Sequence, residues 1–264
     1  MSNETAKPAP AKRRRPLGRR QVLKMLAATP PILLLSNCQP IASADEKKKA
    51  DANGYDWSKH HWAYAVDISK CIGCNACMRA CRKENDVPAG YHRTWVERYR
   101  IDKKGKVSVD VAASDDHVFK PVDDKDTATS FFVPKLCNHC SKSVCSQVCP
   151  VGASYHTKDG VVLVDEKHCV GCGYCVQACP YGCRFINPKT HVADKCTLCY
   201  HRITKGMLPA CVQACPREAR VFGDLNDPKS KLNTLLKQNS HRVLRPELGT
   251  HPECFYFNLH SEVV

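Results

Sequence analysis

Sixteen of the nineteen cysteines fall into four groups of four, and this spacing constrains the fold more than any other feature of the 264-residue chain. The groups are Cys71, Cys74, Cys77 and Cys81; Cys137, Cys140, Cys145 and Cys149; Cys169, Cys172, Cys175 and Cys179; and Cys196, Cys199, Cys211 and Cys215. Cys38, Cys183 and Cys254 stand outside the groups. Thiols at this density are bonded to sulfur, zinc or iron. In the first and third groups two residues separate the first three cysteines and three residues precede the fourth. Three thiolates so spaced can wrap one face of an iron–sulfur cubane, while the fourth points along the next turn towards a second cluster. Structural zinc takes cysteines in two pairs and leaves the third of each run surplus. Disulfides among cysteines so close on so many short loops would be strained. The expectation is four [4Fe–4S] clusters with crossed ligands: Cys71, Cys74, Cys77 with Cys215; Cys137, Cys140, Cys145 with Cys179; Cys169, Cys172, Cys175 with Cys149; and Cys196, Cys199, Cys211 with Cys81.

The chain also repeats. Val66-Asp67-Ile68-Ser69-Lys70-Cys71 matches Val164-Asp165-Glu166-Lys167-His168-Cys169, and Cys149-Pro150-Val151-Gly152-Ala153 matches Cys215-Pro216-Arg217-Glu218-Ala219. The order A, B, A′, B′ is an internal duplication. Short strands are expected before each A motif, at Trp62 to Ile68 and Val161 to Asp165, and after each B motif, at Ser154 to His156 and Arg220 to Phe222. Lys158-Asp159-Gly160 reads as a hairpin turn. Pro150, Pro180 and Pro216 each follow a fourth cysteine and push it to extended geometry. These features imply an α+β, duplicated bacterial ferredoxin-like fold of short strands and cluster-binding loops. Its expected parts are a signal peptide over 1–44, a first motif with an insertion over 45–136, a central two-cluster unit over 137–195, and a fourth motif with a tail over 196–264 that pairs back with 62–81. The insertion, residues 82–136, should hold strands from Arg93 to Ile101 and Val107 to Val111, then a polar loop from Asp123 to Ser130; it reads equally as a partner-specific contact or a mere added hairpin. A helix is expected from Ser230 to Gln238. The apolar tail Phe255-Tyr256-Phe257 could pack on the core or face a partner.

The N-terminus carries Arg19-Arg20, then an apolar stretch from Leu23 to Leu35 broken by Pro30 and Pro31, then Ala42-Ser43-Ala44. Two arginines, a short apolar run and an A-x-A site resemble a twin-arginine export signal cut before Asp45. The alternative is lipoprotein processing at Cys38. The stretch is shorter than the roughly 20 residues of a membrane span. Export of a folded, cofactor-loaded protein reconciles a periplasmic destination with thiols that would otherwise oxidise. Of the chain's 40 Lys/Arg and 26 Asp/Glu, residues 1–44 hold eight and one, so residues 45–264 carry 32 basic and 25 acidic groups, net +7. Clusters each bringing about −2 with their thiolates would balance that excess, which is therefore no sign of nucleic acid.

From Cys71 to Phe257 the chain resembles the four-cluster iron–sulfur subunit of the molybdopterin, DMSO reductase-type, oxidoreductase complexes. Leu136-Cys137-Asn138-His139-Cys140, Cys179-Pro180-Tyr181-Gly182, Ala193-Asp194-Lys195-Cys196 and Leu208-Pro209-Ala210-Cys211 carry the likeness. Among such subunits it is similar to the exported ones that serve tetrathionate reduction, formate-dependent nitrite reduction and a sulfite-reductase-linked membrane complex. Ser143-Val144 stand where relatives often have two prolines, and Cys183 where they usually lack cysteine. The resemblance implies an electron relay with no substrate site of its own. It implies an integral membrane quinone-reactive subunit on one side, a molybdopterin catalytic subunit or multihaem cytochrome c on the other, and a role in respiratory sulfur-compound metabolism. A free periplasmic carrier, or a mainly structural iron–sulfur module, is the alternative.

Overall fold

The computed structural model describes residues 54–112, 119, 121 and 124–263; the export segment, Cys38 and Asp123 lie outside them. The frame is a four-stranded sheet in the order β10-β11-β1-β9, built from β1 (Trp62–Asp67), β9 (Arg220–Asp224), β10 (His241–Arg242) and β11 (Cys254–Phe257). β1 pairs antiparallel with β9, Tyr64 opposite Phe222 and Val66 opposite Arg220, and parallel with β11, Tyr64 opposite Cys254. Strand alternation sends Ala63, Ala65, Val221 and Phe257 to one face and Tyr64, Val66, Phe222 and Tyr256 to the other. On the first face lies the helix α6 (Lys231–Gln238), with Leu232 fully buried. Ser230 caps it, its hydroxyl accepting Asn233 N–H at 3.2 Å. Gly223 lets the helix approach: a Cβ there would stand 2.6 Å from Leu232 Cβ. The second face looks onto the cysteines.

The two A motifs fold as two copies of one turn. Asp67 accepts Ser69 N–H at 3.2 Å and Asp165 accepts Lys167 N–H at 2.9 Å, each bending the chain from its strand into its cysteine loop. Inside the loops Gly73 (φ 68°) and Gly171 (φ 66°) hold left-handed conformations, and a Cβ would overlap the Phe132 ring at the first and the His191 carbonyl oxygen at the second. Asn75 (φ 57°) then starts the helix α1 (Ala76–Asn85), and Gly173 (φ 78°) starts α3 (Tyr174–Ala178). The remaining short helices are α2 (Val144–Gln147), α4 (Tyr200–Ile203) and α5 (Ala210–Gln213). Two hairpins complete the centre: β5 (Ser154–His156) with β6 (Val162–Val164), and β7 (Arg184–Ile186) with β8 (Ala193–Lys195). Helices and strands thus form an α+β, ferredoxin-type fold.

The insertion is a three-stranded sheet, β3-β2-β4, of β2 (Thr94–Asp102), β3 (Val107–Val111) and β4 (Thr127–Leu136). This corrects the reading of residues up to Ser130 as polar loop. Thr129 pairs with Ile101 and Ser130 with Arg100, so partners on β2 impose a strand on a polar run. Nor is the insertion only a surface hairpin, because Val96, Tyr99, Val133 and Leu136 enter the main core. The tail residues Tyr256 and Phe257 are buried in β11 and pack on the core. No helix among the described residues is long and apolar enough to cross a membrane.

Candidate cluster-binding sites

Three cavities each gather cysteines from two motifs. The first is lined by Cys71, Cys74, Cys77 and Cys215. The second is lined by Cys81, Cys196, Cys199 and Cys211. The third is lined by Cys137, Cys140, Cys145 and Cys179, with Cys183 as a fifth thiol in its wall. Cys169, Cys172 and Cys175 sit around α3, which packs on α2, and Cys149 follows α2 directly. Val96 and Pro134 of the insertion wall the first cavity, and Arg93 and Thr94 the second.

The donor set suits a polynuclear cluster. Among the described residues no three His, Cys, Asp or Glu side chains converge closely enough to hold one metal ion. The thiols ring cavities instead, as a cubane requires and a single zinc does not. Backbone N–H groups point at the sulfurs: Ala219 to Cys215 at 3.3 Å, Leu198 to Cys196 at 3.4 Å and Ala193 to Cys169 at 3.4 Å. Asn85 Nδ2 reaches Cys81 and Cys199 Sγ at 3.6 and 3.7 Å. Tyr64 Oη lies 3.3 Å from Cys211 Sγ. In the third cavity the Asn138 amide is buried with neither terminal atom bonded to protein, leaving it a donor towards whatever fills the space.

Acidity divides the thiols. Burial pushes Cys71 up to about 11 and Cys140 up to about 12. Cys179 falls to about 6, because Cys183 donates to it and the backbone N–H groups of Cys183 and Tyr181 add to that against burial. Cys149 also falls: burial opposes its charge, but the N–H groups of residues 151–154 outweigh it. The turn after each Cys-Pro therefore gathers donors onto the fourth cysteine of its group. Cys183 Sγ also lies 3.1 Å from the Leu136 carbonyl oxygen, a competing acceptor for its single thiol proton.

Sequence reading missed three buried cations. Arg220 lines the first cavity and donates to Thr94 Oγ1 at 2.8 Å and Tyr64 Oη at 3.3 Å, both residues of the second cavity's wall. Arg184 lines the third and donates to Ser154 Oγ at 2.8 Å. Lys195 donates to the carbonyls of Val162 and Cys196. Burial disfavours both guanidinium charges, yet the facing thiolates hold them more firmly protonated than usual. Lys195 differs: burial holds its amine below the usual lysine value and the Arg184 charge adds to that, against the pull of the Cys137 and Cys196 thiolates. A signal existed: Arg184 and Arg220 each stand five residues after a fourth cysteine, Cys179 and Cys215.

Residues 128–225 and 70–153 each match a family model described as a 4Fe-4S dicluster domain. The chain is 44% identical over 208 residues to a tetrathionate reductase subunit of Salmonella typhimurium, spanning 78% of this chain and 76% of the relative. It is 46% identical to a tetrathionate reductase subunit of Archaeoglobus fulgidus, over 75% of this chain and 82% of the relative. It is 34% identical to the arsenate respiratory reductase iron-sulfur subunit ArrB of a Shewanella species, over 72% and 93% respectively.

Proposed function

Because this chain belongs to the iron–sulfur electron-transfer subunits of multisubunit oxidoreductase complexes, binding [4Fe–4S] clusters through dicluster domains, we propose that it holds four of them and links a membrane quinone-reactive subunit to a second redox partner. The observation that carries this is the composition of the three cavities, each drawing three thiols from one motif and a fourth from another. Cys71, Cys74, Cys77 and Cys215 form set 1; Cys137, Cys140, Cys145 and Cys179 set 2; Cys149, Cys169, Cys172 and Cys175 set 3; and Cys81, Cys196, Cys199 and Cys211 set 4. When bound, such clusters supply one-electron redox centres.

The chain's own residues arrange these sets in a row. Cys77 of set 1 lies within electrostatic reach of Cys211 of set 4, Cys196 of set 4 within reach of Cys137 of set 2, and Cys175 of set 3 within reach of Cys145 of set 2. The inner sets lie deepest, while Cys74 and Cys172, in the outer two, are exposed. Beside these stand Ile72 and Val170, exposed apolar side chains at the same place in the two A motifs. The two ends are thus the natural docking points, one for the integral membrane subunit and one for a molybdopterin catalytic subunit or multihaem cytochrome c. Similarity to tetrathionate reductase subunits supports a place in sulfur-compound respiration. Arg19-Arg20 and Ala42-Ser43-Ala44 support export to the periplasm by the twin-arginine route.

Affinity purification from native membranes tests the bridging role. The expected result is recovery with an integral membrane protein and reduction of the iron–sulfur signal by added quinol. Recovery of the chain alone, with no quinol-dependent reduction, contradicts it.

A further inference from the structure

Four sets in a row leave three gaps, and each gap contains one buried cation. Arg220 stands between sets 1 and 4, facing Cys77 and Cys211. Lys195 stands between sets 4 and 2, donating to the carbonyl of Cys196 in the second cavity's wall and to that of Val162 in the third's. Arg184 stands between sets 2 and 3, facing Cys145 and Cys175. All three are at most 5% exposed. By contrast, two other enclosed cations among the described residues have carboxylate partners: Arg93 meets Asp194 at 2.8 Å and Lys135 meets Glu97 at 2.8 Å. Among the described residues, Arg220, Lys195 and Arg184 have neutral hydrogen-bond acceptors and the cysteines.

The register makes this costly without an anion. β7 and β8 set Arg184 directly opposite Lys195. Like charges opposite each other on paired strands are destabilising, and a buried cation without a counter-charge is more so. Arg184 Nε and Nη1 have no hydrogen-bond partner among the described residues. The negative charge that all three cations share is that of the cysteine thiolates.

We propose that Arg220, Lys195 and Arg184 are positive spacers, one per gap, that raise the reduction potentials of the clusters on either side and so offset the repulsion between neighbouring reduced clusters. The role rests on the four-set reading above. Adding an electron to one cluster makes its neighbour harder to reduce, and in a low-dielectric interior that repulsion is large. A fixed cation in the gap offsets it for both neighbours. Guanidinium suits the two gaps within the dicluster halves, because it stays charged and its donors fan towards two sets at once. These are positioning residues acting on potential, not ligands.

The test is a redox titration of the whole, anaerobically purified protein, followed by electron paramagnetic resonance, on Arg220→Gln, Arg220→Lys, Arg184→Gln and Arg184→Lys. In Arg220→Gln the two clusters of sets 1 and 4 should each become at least tenfold harder to reduce, a fall of about 59 mV for one electron, while the other two move less. Arg184→Gln should shift sets 2 and 3 instead. Both Lys variants should keep potentials close to wild type. Iron loss confined to the Gln variants, with normal iron and potentials in the Lys variants, also supports a need for charge in the gap. Unmoved potentials in iron-replete Gln variants overturn the spacer role, as does iron loss from Gln and Lys variants alike, which marks a packing role. Wild-type protein short of four clusters overturns the four-set reading itself, which separates the two failures.

Discussion

Gly171→Ala should destabilise the loop of Cys169 and Cys172 far more than Gly173→Ala, two residues away. Both glycines have positive φ, 66° and 78°. An alanine at either pays the left-handed penalty of about 1–2 kcal/mol. At Gly173 nothing lies within 4 Å of the added Cβ. At Gly171 the Cβ would overlap the His191 carbonyl oxygen, a backbone atom, so relief needs the chain itself to shift. Overpacking of that kind adds about 1–3 kcal/mol. If the difference carries into the barrier for loop opening, Gly171→Ala should lose iron to a chelator about 5- to 150-fold faster than Gly173→Ala. The assay is anaerobic iron release at a fixed, low denaturant concentration, a rate measurement that does not depend on reversible unfolding. Gly173→Asn should stay near wild type, because Asn75 already occupies the corresponding place at φ 57°. Equal release rates for the two alanine variants would refute the account of why the motif carries glycine there.

Cys183→Ser should keep the full iron content, whereas Cys179→Ser should lose one cluster, both read by iron analysis. His61 is held above its ordinary value of 6.5 chiefly by its hydrogen bond with Glu253, against burial. A raised folded value gives stability that is complete below pH 6.5 and lost as pH rises through the folded value. His61→Gln should therefore lower thermal stability by about 0.2–1 kcal/mol at pH 6, a modest sum for a half-exposed pair, and by nothing well above the folded value; a larger loss at pH 9 than at pH 6 contradicts the sign. Replacing Arg19 and Arg20 with lysine should leave the precursor in the cytoplasm by fractionation, and intact-mass analysis should find native protein beginning at Asp45; a lipidated Cys38 contradicts that cleavage.

What could be read in the sequence was what local chemistry dictates. The four cysteine motifs, the hairpin turn at Lys158-Asp159-Gly160, β3 at Val107–Val111 and the Ser230 cap of α6 all follow from spacing and turn residues close in the chain. β4 was hidden because Thr127 to Ser130 show no alternation, and only β2 makes a strand of them. β11 was ambiguous because its partner, β1, lies almost two hundred residues earlier. Arg184, Lys195 and Arg220 look like ordinary surface cations until register turns them inward: Val66 opposite Arg220 puts that guanidinium on the cysteine side of the frame sheet. The same long-range pairing brings Cys215 to the Cys71 loop, which spacing alone could only suggest.

The central claim, four cubanes held by sixteen cysteines, is tested most directly by iron, zinc and acid-labile sulfide analysis of anaerobically purified protein, with Mössbauer spectra to establish cluster type. About sixteen irons and about sixteen sulfides per chain, all in [4Fe–4S] form, are expected. A count near eight, or stoichiometric zinc, would contradict the claim.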